Sequence, residues 1–139
     1  MKEKLLISFS GGRTSAYMTW WLLNYKRDLY EMLVVFANTG KEREETLEFV
    51  RDCDNYFGFN TVWIEAVTNP KNTYGVTAKV VNFESADRKG TPFEEVIKKH
   101  GLPNQHMPHC SRQMKKEAIK AYARSIGWIG KKYQTAIGI

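Results

Sequence analysis

Apolar residues in this chain fall into short dense runs, separated by longer stretches in which they recur at helical spacing. The runs Lys4–Phe9, Met32–Ala37 and Thr61–Ala66 predict strands, and their near-continuous apolar character is that of parallel strands covered on both faces. A fourth strand is expected at Tyr133–Ile139. The spacing predicts helices over Ser15–Leu29, Glu44–Phe57, Pro92–His100 and Ser111–Ile126. In the second of these, Glu44, Glu45 and Glu48 suit the positive end of the macrodipole. Leu47, Val50 and Phe57 mark its apolar side, and Gly58 stands where a stop belongs. Pro92 suits a first helical turn and Gly101 closes the same helix. Trp20 and Trp21 are expected to pack in the core. Residues 67–91 read as one long irregular segment holding a short extended piece at Gly75–Phe83, and such segments are usually lids or binding loops. Tyr74, Phe83 and Phe93 flank it, with core packing favoured for each over stacking on a base. Strand–helix alternation calls for right-handed crossovers and a parallel sheet, hence an α/β fold.

Two turns at the expected carboxyl edge of that sheet carry the chemistry. Leu5–Phe9 breaks into Ser10-Gly11-Gly12-Arg13-Thr14-Ser15 and turns directly into a helix. Two residues without a Cβ let backbone N–H groups approach an anion, with Ser10, Thr14 and Ser15 adding hydroxyls and the helix start adding positive potential. An ordinary strand-to-helix turn is the plain alternative. The stretch is neither a Walker pattern nor a dinucleotide fingerprint, lacking Gly-Lys-Ser/Thr and a third glycine, and it is not a Gly-x-Ser-x-Gly elbow. The second turn is Phe36-Ala37-Asn38-Thr39-Gly40-Lys41-Glu42. Asn38 and Thr39 offer hydrogen bonds or simply cap a helix, Gly40 permits close approach, Lys41 is a counter-charge, and Glu42 a ligand for a hydrated cation. Parallel α/β sheets bind ligands at this edge.

A third cluster is His106-Met107-Pro108-His109-Cys110-Ser111-Arg112-Gln113-Met114-Lys115-Lys116. Arg112 and Lys115 are three apart near a helix start and make a second anion site, with Lys116 the weaker choice. His106, His109 and Cys110 lack standard zinc spacing, so no metal is assigned. Cys110 reads as a structural thiol more readily than a nucleophile.

With 139 residues, 42% hydrophobic and 26% charged, the chain reads as one soluble domain over residues 1–139. No run is long enough for a membrane span and the N-terminus lacks an apolar signal region, which points to the cytoplasm. Cys53 and Cys110, the two cysteines, suit reduced thiols. A net charge of +6 invites a polyanion, a nucleotide or a nucleic acid, although no long basic run marks a nucleic-acid tail.

Together the clusters resemble a known family. Ser10-Gly11-Gly12-Arg13-Thr14-Ser15 is similar to the PP-loop of the adenine nucleotide α-hydrolase superfamily. Phe36–Glu42, with Glu45-Thr46, resembles the phosphoadenosine phosphosulfate (PAPS) reductase branch, as does Cys110-Ser111-Arg112 with Met114-Lys115. The middle portion, from Val81-Asn82-Phe83-Glu84-Ser85-Ala86 through Gly101-Leu102-Pro103-Asn104, is similar to phage-encoded PAPS-reductase-like members, for which the location would be the host cytoplasm. The resemblance implies a Rossmann-like three-layer α/β/α fold with a mostly parallel sheet of about four or five strands. It further implies ATP or PAPS as ligand or substrate, with chemistry at the α-phosphate or the sulfate. By position, Ser10, Gly11, Gly12, Arg13, Thr14 and Ser15 would hold phosphate. Ser8, Phe9, Asn38, Thr39, Gly40 and Lys41 would line the nucleotide pocket, and Arg112 and Lys115 would meet a distal anion.

Departures from the family qualify the activity. The reductases' Glu-Cys-Gly-x-His motif is absent, and the chain is expected to lack the family's C-terminal region, which a second chain or a homodimer would supply. Thr14 replaces the usual acidic residue and Asn38 the aspartate of Asp-Thr-Gly relatives, leaving Mg²⁺ an open companion. Two other readings stand beside the enzyme: a nucleotide-sequestering module without turnover, and the ATP-pyrophosphatase subunit of a nucleic-acid sulfurtransferase.

Overall fold

The computed structural model describes residues 2–68, 76–100 and 111–137, without the side chains of 93, 96, 97, 99, 100, 111–114 and 131. Its elements run β1 (Glu3–Ser8), α1 (Arg13–Tyr25), β2 (Tyr30–Asn38), α2 (Glu44–Phe57), β3 (Val62–Thr68), β4 (Val76–Val81), α3 (Thr91–His100), α4 (Ser111–Ser125), one turn of 3₁₀ helix (Gly130–Lys132) and β5 (Tyr133–Ile137). The five strands order as β4-β3-β2-β1-β5. β1 pairs in parallel with β2 (Ile7 opposite Val34) and with β5 (Ile7 opposite Ala136), and β2 with β3; β4 alone is antiparallel, against β3. The expected mostly parallel three-layer α/β sheet is the fold observed.

Period-two alternation divides the strands between two cores. Leu5, Ile7, Val34, Phe36 and Trp63 face one side, where Ala16 and Leu23 of α1 and Leu47, Val50 and Cys53 of α2 meet them. Leu6, Val35, Ala37, Ile64 and Ala66 face the other, closed by Ala118 and Ala123 of α4 and by Trp128. Each fully buried Leu, Ile, Val or Phe contributes about 1.5–3 kcal/mol, so these runs hold the sheet centre firmly.

The differences from expectation have local causes. α1 spans Arg13–Tyr25 instead of Ser15–Leu29: the Lys26 N–H caps it on the Leu22 carbonyl, Arg27 Nε bonds the Leu23 carbonyl at 2.9 Å, and Leu29 turns out to solvent. The chain then enters β2 at Tyr30, drawn in by pairing with Glu3. Residues 67–91 are more regular than expected: β3 runs on to Thr68, and the extended piece expected at Gly75–Phe83 is β4, which returns beside it with Ala66 opposite Ala78. Trp21 is 39% exposed beside Tyr25, and Phe57 is 54% exposed, stacked on Phe59; neither is a core residue. Gly58 does end α2, in the left-handed region at φ 66°. No described helix is long and apolar enough to cross a membrane.

Candidate functional site

β1 delivers the first loop. The Phe9 N–H still bonds the Val35 carbonyl at 2.9 Å, while its ring is buried edge-on against Phe59, 5.6 Å between centroids. Phe9 is therefore a core residue that offers a ligand only backbone, and Ser8 before it is half-buried. Ser10 then turns outward. Its N–H donates to Ser15 Oγ at 3.1 Å and its own Oγ receives the Gly12 N–H at 3.4 Å. Ser15 is 1% exposed, so its hydroxyl braces the loop from beneath.

The two glycines differ. Gly11 has φ +85°, and a Cβ there would stand 2.8 Å from Thr46 Cγ2 and 3.3 Å from Phe36 Cε1 and Val50 Cγ2. Only glycine fits this seat on α2. Gly12 has an ordinary extended backbone (φ −94°, ψ 164°), is exposed, and a Cβ there meets only Ser10 Oγ at 3.5 Å. It occupies the N-cap of α1, where no side chain caps the helix and no acid lies in the first turn. The early N–H groups of α1 are thus open beside exposed Arg13 and Thr14.

β2, hydrogen-bonded alongside β1, delivers the second loop to the same edge. Asn38 and Thr39 are each 1% exposed. Asn38 Oδ1 accepts the Gly40 N–H at 3.2 Å, and its Nδ2 donates to Glu65 Oε2 at 2.7 Å and to the Asp87 carbonyl at 2.9 Å; Thr39 Oγ1 accepts the Lys41 N–H at 3.1 Å. These side chains knit loops together and present little to a ligand. Gly40, at φ +84°, lies where any Cβ would overlap Asp87 Oδ2 and stand 2.6 Å from the Gly90 nitrogen. The close approach that Gly40 permits is therefore to the Asp87–Gly90 turn.

That turn is well anchored. Asp87 Oδ2 accepts the Lys89 and Thr91 N–H groups at 3.1 and 2.8 Å, satisfying the start of α3. Burial pushes its carboxyl up, but hydrogen bonds from Thr91, Gly90 and Lys89 outweigh that and hold it below the usual 3.8. Arg88 makes a two-point contact with Glu44 (3.0 and 3.2 Å), donates to the Phe83 and Ala86 carbonyls and lies 4.7 Å from the Phe83 ring centroid. The Arg88 hydrogen bond, ahead of the cost of burial, holds Glu44 below its ordinary 4.5. Phe83 packs on Trp63, 6.1 Å between ring centroids, consistent with the favoured core assignment; Tyr74 and the side chain of Phe93 lie outside the described residues.

α4 joins the second loop through Lys115, whose Nζ meets Glu42 Oε1 at 2.6 Å with both side chains largely sheltered. Glu42 is thereby committed to an ammonium and not free for a hydrated cation. Lys41 reaches Glu94 at a loose 3.9 Å. Arg112 lies in the first turn of α4, its side chain outside the described residues, as are His106, His109 and Cys110 altogether. No cluster of His, Cys, Asp and Glu among the described residues could hold a metal. Cys53 is buried, and that burial, followed by Asp54 and Asp52, pushes its thiol up to about 11.

Glu65 and Asp87 are the site residues that sequence reasoning missed. Glu65 is 1% exposed in the middle of β3, opposite Asn38, its Oε2 receiving Asn38 Nδ2 at 2.7 Å and the Asp87 N–H at 2.6 Å. A lone acid within the apolar run Thr61–Ala66 was the available signal.

Comparison with known proteins places the chain in a family. The model of the phosphoadenosine phosphosulfate reductase domain matches residues 4–134. A nin region protein (ORF290) of Escherichia phage lambda is 31% identical, the match covering 96% of this chain and 47% of that protein. Two proteins of Methanocaldococcus jannaschii are each 26% identical, over 88% and 84% of this chain and 20% and 22% of their own lengths. The chain thus spans less than half the length of these curated relatives, and no solved structure matches it. The chain belongs to the phosphoadenosine phosphosulfate reductase domain family.

Proposed function

We propose that this chain binds an adenine nucleotide at the Ser10–Ser15 loop and acts on ATP at the α-phosphate or on PAPS at the sulfate. The observation that carries the reading is the contrast between the glycines: Gly11 is locked into the core while Gly12 leaves an uncapped helix start open to solvent. Phosphate oxygens would receive the N–H groups of Gly12 and the first turn of α1, with Ser10, Arg13 and Thr14 beside them. Ser15 would act through the loop it braces, and Asn38, Thr39 and Gly40 through the rigidity they give the neighbouring loop. Lys115 serves as a distal cation only if the nucleotide's far anion competes with Glu42 for it. The bound nucleotide would supply the labile bond, and the chain would supply position and charge neutralisation.

A second reading is binding without turnover; against thiol-dependent reduction of PAPS, Cys53, the cysteine among the described residues, is buried and poorly suited as a nucleophile. Titration with ATP, PAPS and adenosine 3′,5′-bisphosphate, with and without Mg²⁺, separates the two when the same mixtures are assayed for AMP, pyrophosphate and sulfite. Product identifies the enzyme and its branch; tight binding without product identifies the module. Gly12→Val should weaken binding at least about tenfold while the protein stays folded, and unchanged affinity refutes the loop as the phosphate site.

A further inference from the structure

One strand beyond the second loop, β3, β4 and the start of α3 enclose a cavity of about 280 Å³ lined by Glu65, Thr68, Lys79, Asp87, Thr91 and Glu95, among others. Its size is near the lower end of small-molecule sites. Three carboxylates and one ammonium give these walls a formal charge of −2, in a chain whose net charge is +6.

A buried carboxylate and a buried hydroxyl give that field a target. The Glu65 side chain is 2% exposed; Oε2 takes two hydrogen bonds, whereas Oε1 lies 3.8 Å from Lys79 Nζ, an ion pair longer than a hydrogen bond. On the same wall, Thr68 Oγ1 is buried and has no hydrogen-bond partner among the described residues. A buried hydroxyl without a partner is costly and marks a place where one belongs. Lys79, 60% exposed on a flexible stem, stands near Glu65 as an ammonium that can swing aside.

We propose that this cavity is a binding site for the protonated amine of a small molecule, its N–H groups donating to Glu65 Oε1 and Thr68 Oγ1. Asn38, bonded to Glu65, connects the site to the second loop. In placing that amine beside a nucleotide the inference rests on the reading above; the amine site itself does not.

The test is an amide NMR titration of the whole chain with methylammonium, using tetramethylammonium as the control that carries the charge without donors. Methylammonium should give saturable shifts at residues 65–68 and 91–95, and tetramethylammonium none. Thr68→Val and Glu65→Gln should each weaken binding about tenfold, and Lys79→Ala, which removes the internal competitor, should tighten it. Should Glu65→Gln fail to fold, Thr68→Val and Lys79→Ala carry the test. Absence of saturation, equal response to both cations, or indifference to these substitutions overturns the proposal. ATP titrated into the same sample is read at Gly12 and Arg13. A response there with none at residues 65–68 sinks the amine site and spares the nucleotide reading; the converse spares the amine site alone.

Discussion

Replacing Gly11 with alanine tests whether the first loop is held by its seat on α2. At φ +85° a non-glycine residue costs about 1–2 kcal/mol through the clash of Cβ with its own backbone. The new methyl would lie 2.8 Å from Thr46 Cγ2, with Phe36 and Val50 closing the other sides at 3.3 Å. Phe36 and Val50 are 0% exposed, so little can yield, and overpacking such a site costs about 1–3 kcal/mol more. The sum, about 2–5 kcal/mol, is a large part of the roughly 5–15 kcal/mol that keeps a domain folded. At roughly 4 °C per kcal/mol the melting temperature should fall by about 8–20 °C. Gly12→Ala is the control: its backbone is ordinary and its Cβ meets only Ser10 Oγ at 3.5 Å, so its stability should stay within about 0.5 kcal/mol. Urea unfolding of both variants and wild type, with slopes compared to confirm the same surface change, reads the difference. Equal midpoints for the two variants, or a Gly11→Ala midpoint unchanged from wild type, would refute the reasoning.

Acid should loosen the Asp87–Thr91 turn. The folded protein holds Asp87 and Glu44 below their ordinary 3.8 and 4.5, so the stability they contribute is present above those values and lost as pH falls through the lowered ones. The urea midpoint should therefore drop between pH 6 and pH 3, and Asp87→Asn should shrink that drop; an undiminished drop counts against the assignment. In a Cys110→Ser background, Cys53, pushed up to about 11, should resist a thiol reagent at pH 8 until denaturant is added. Rapid native labelling would show that α2 opens or that its burial is misread.

Much of this fold was legible because its strands are apolar on both faces and its helices keep a clean period, as with Leu47, Val50 and Cys53 on α2. The loops at Ser10–Ser15 and Asn38–Gly40 were legible for a different reason, since paired turn chemistry after two neighbouring strands points to one sheet edge. Partnership was not legible. Lys115 reads as a free cation until the fold sets Glu42 against it, and Glu65 reads as an anomaly until Asn38 and the Asp87 N–H close on it. Gly40 likewise reads as room for phosphate until the Asp87–Gly90 turn occupies that room. Aromatic helix faces mislead in the opposite direction: Trp20 and Trp21 are adjacent and alike in hydrophobicity, and only the direction of the core decides which one meets solvent.

The pairing of β1 with β5 sets a timetable for synthesis. Lys4 lies opposite Tyr133, so the strand that carries the first loop is flanked on one side by residues translated 129 positions later. At roughly 5–20 residues per second that separation is about 6–26 s, during which one edge of β1 remains unpaired. Leu5, Leu6, Ile7 and Phe9 are all buried in the folded protein, yet on the ribosome their strand is one of the chain's longest-exposed sticky edges. Mutations that slow emergence of the Tyr133–Ile137 segment should therefore lower the yield of native protein more than its final stability would suggest.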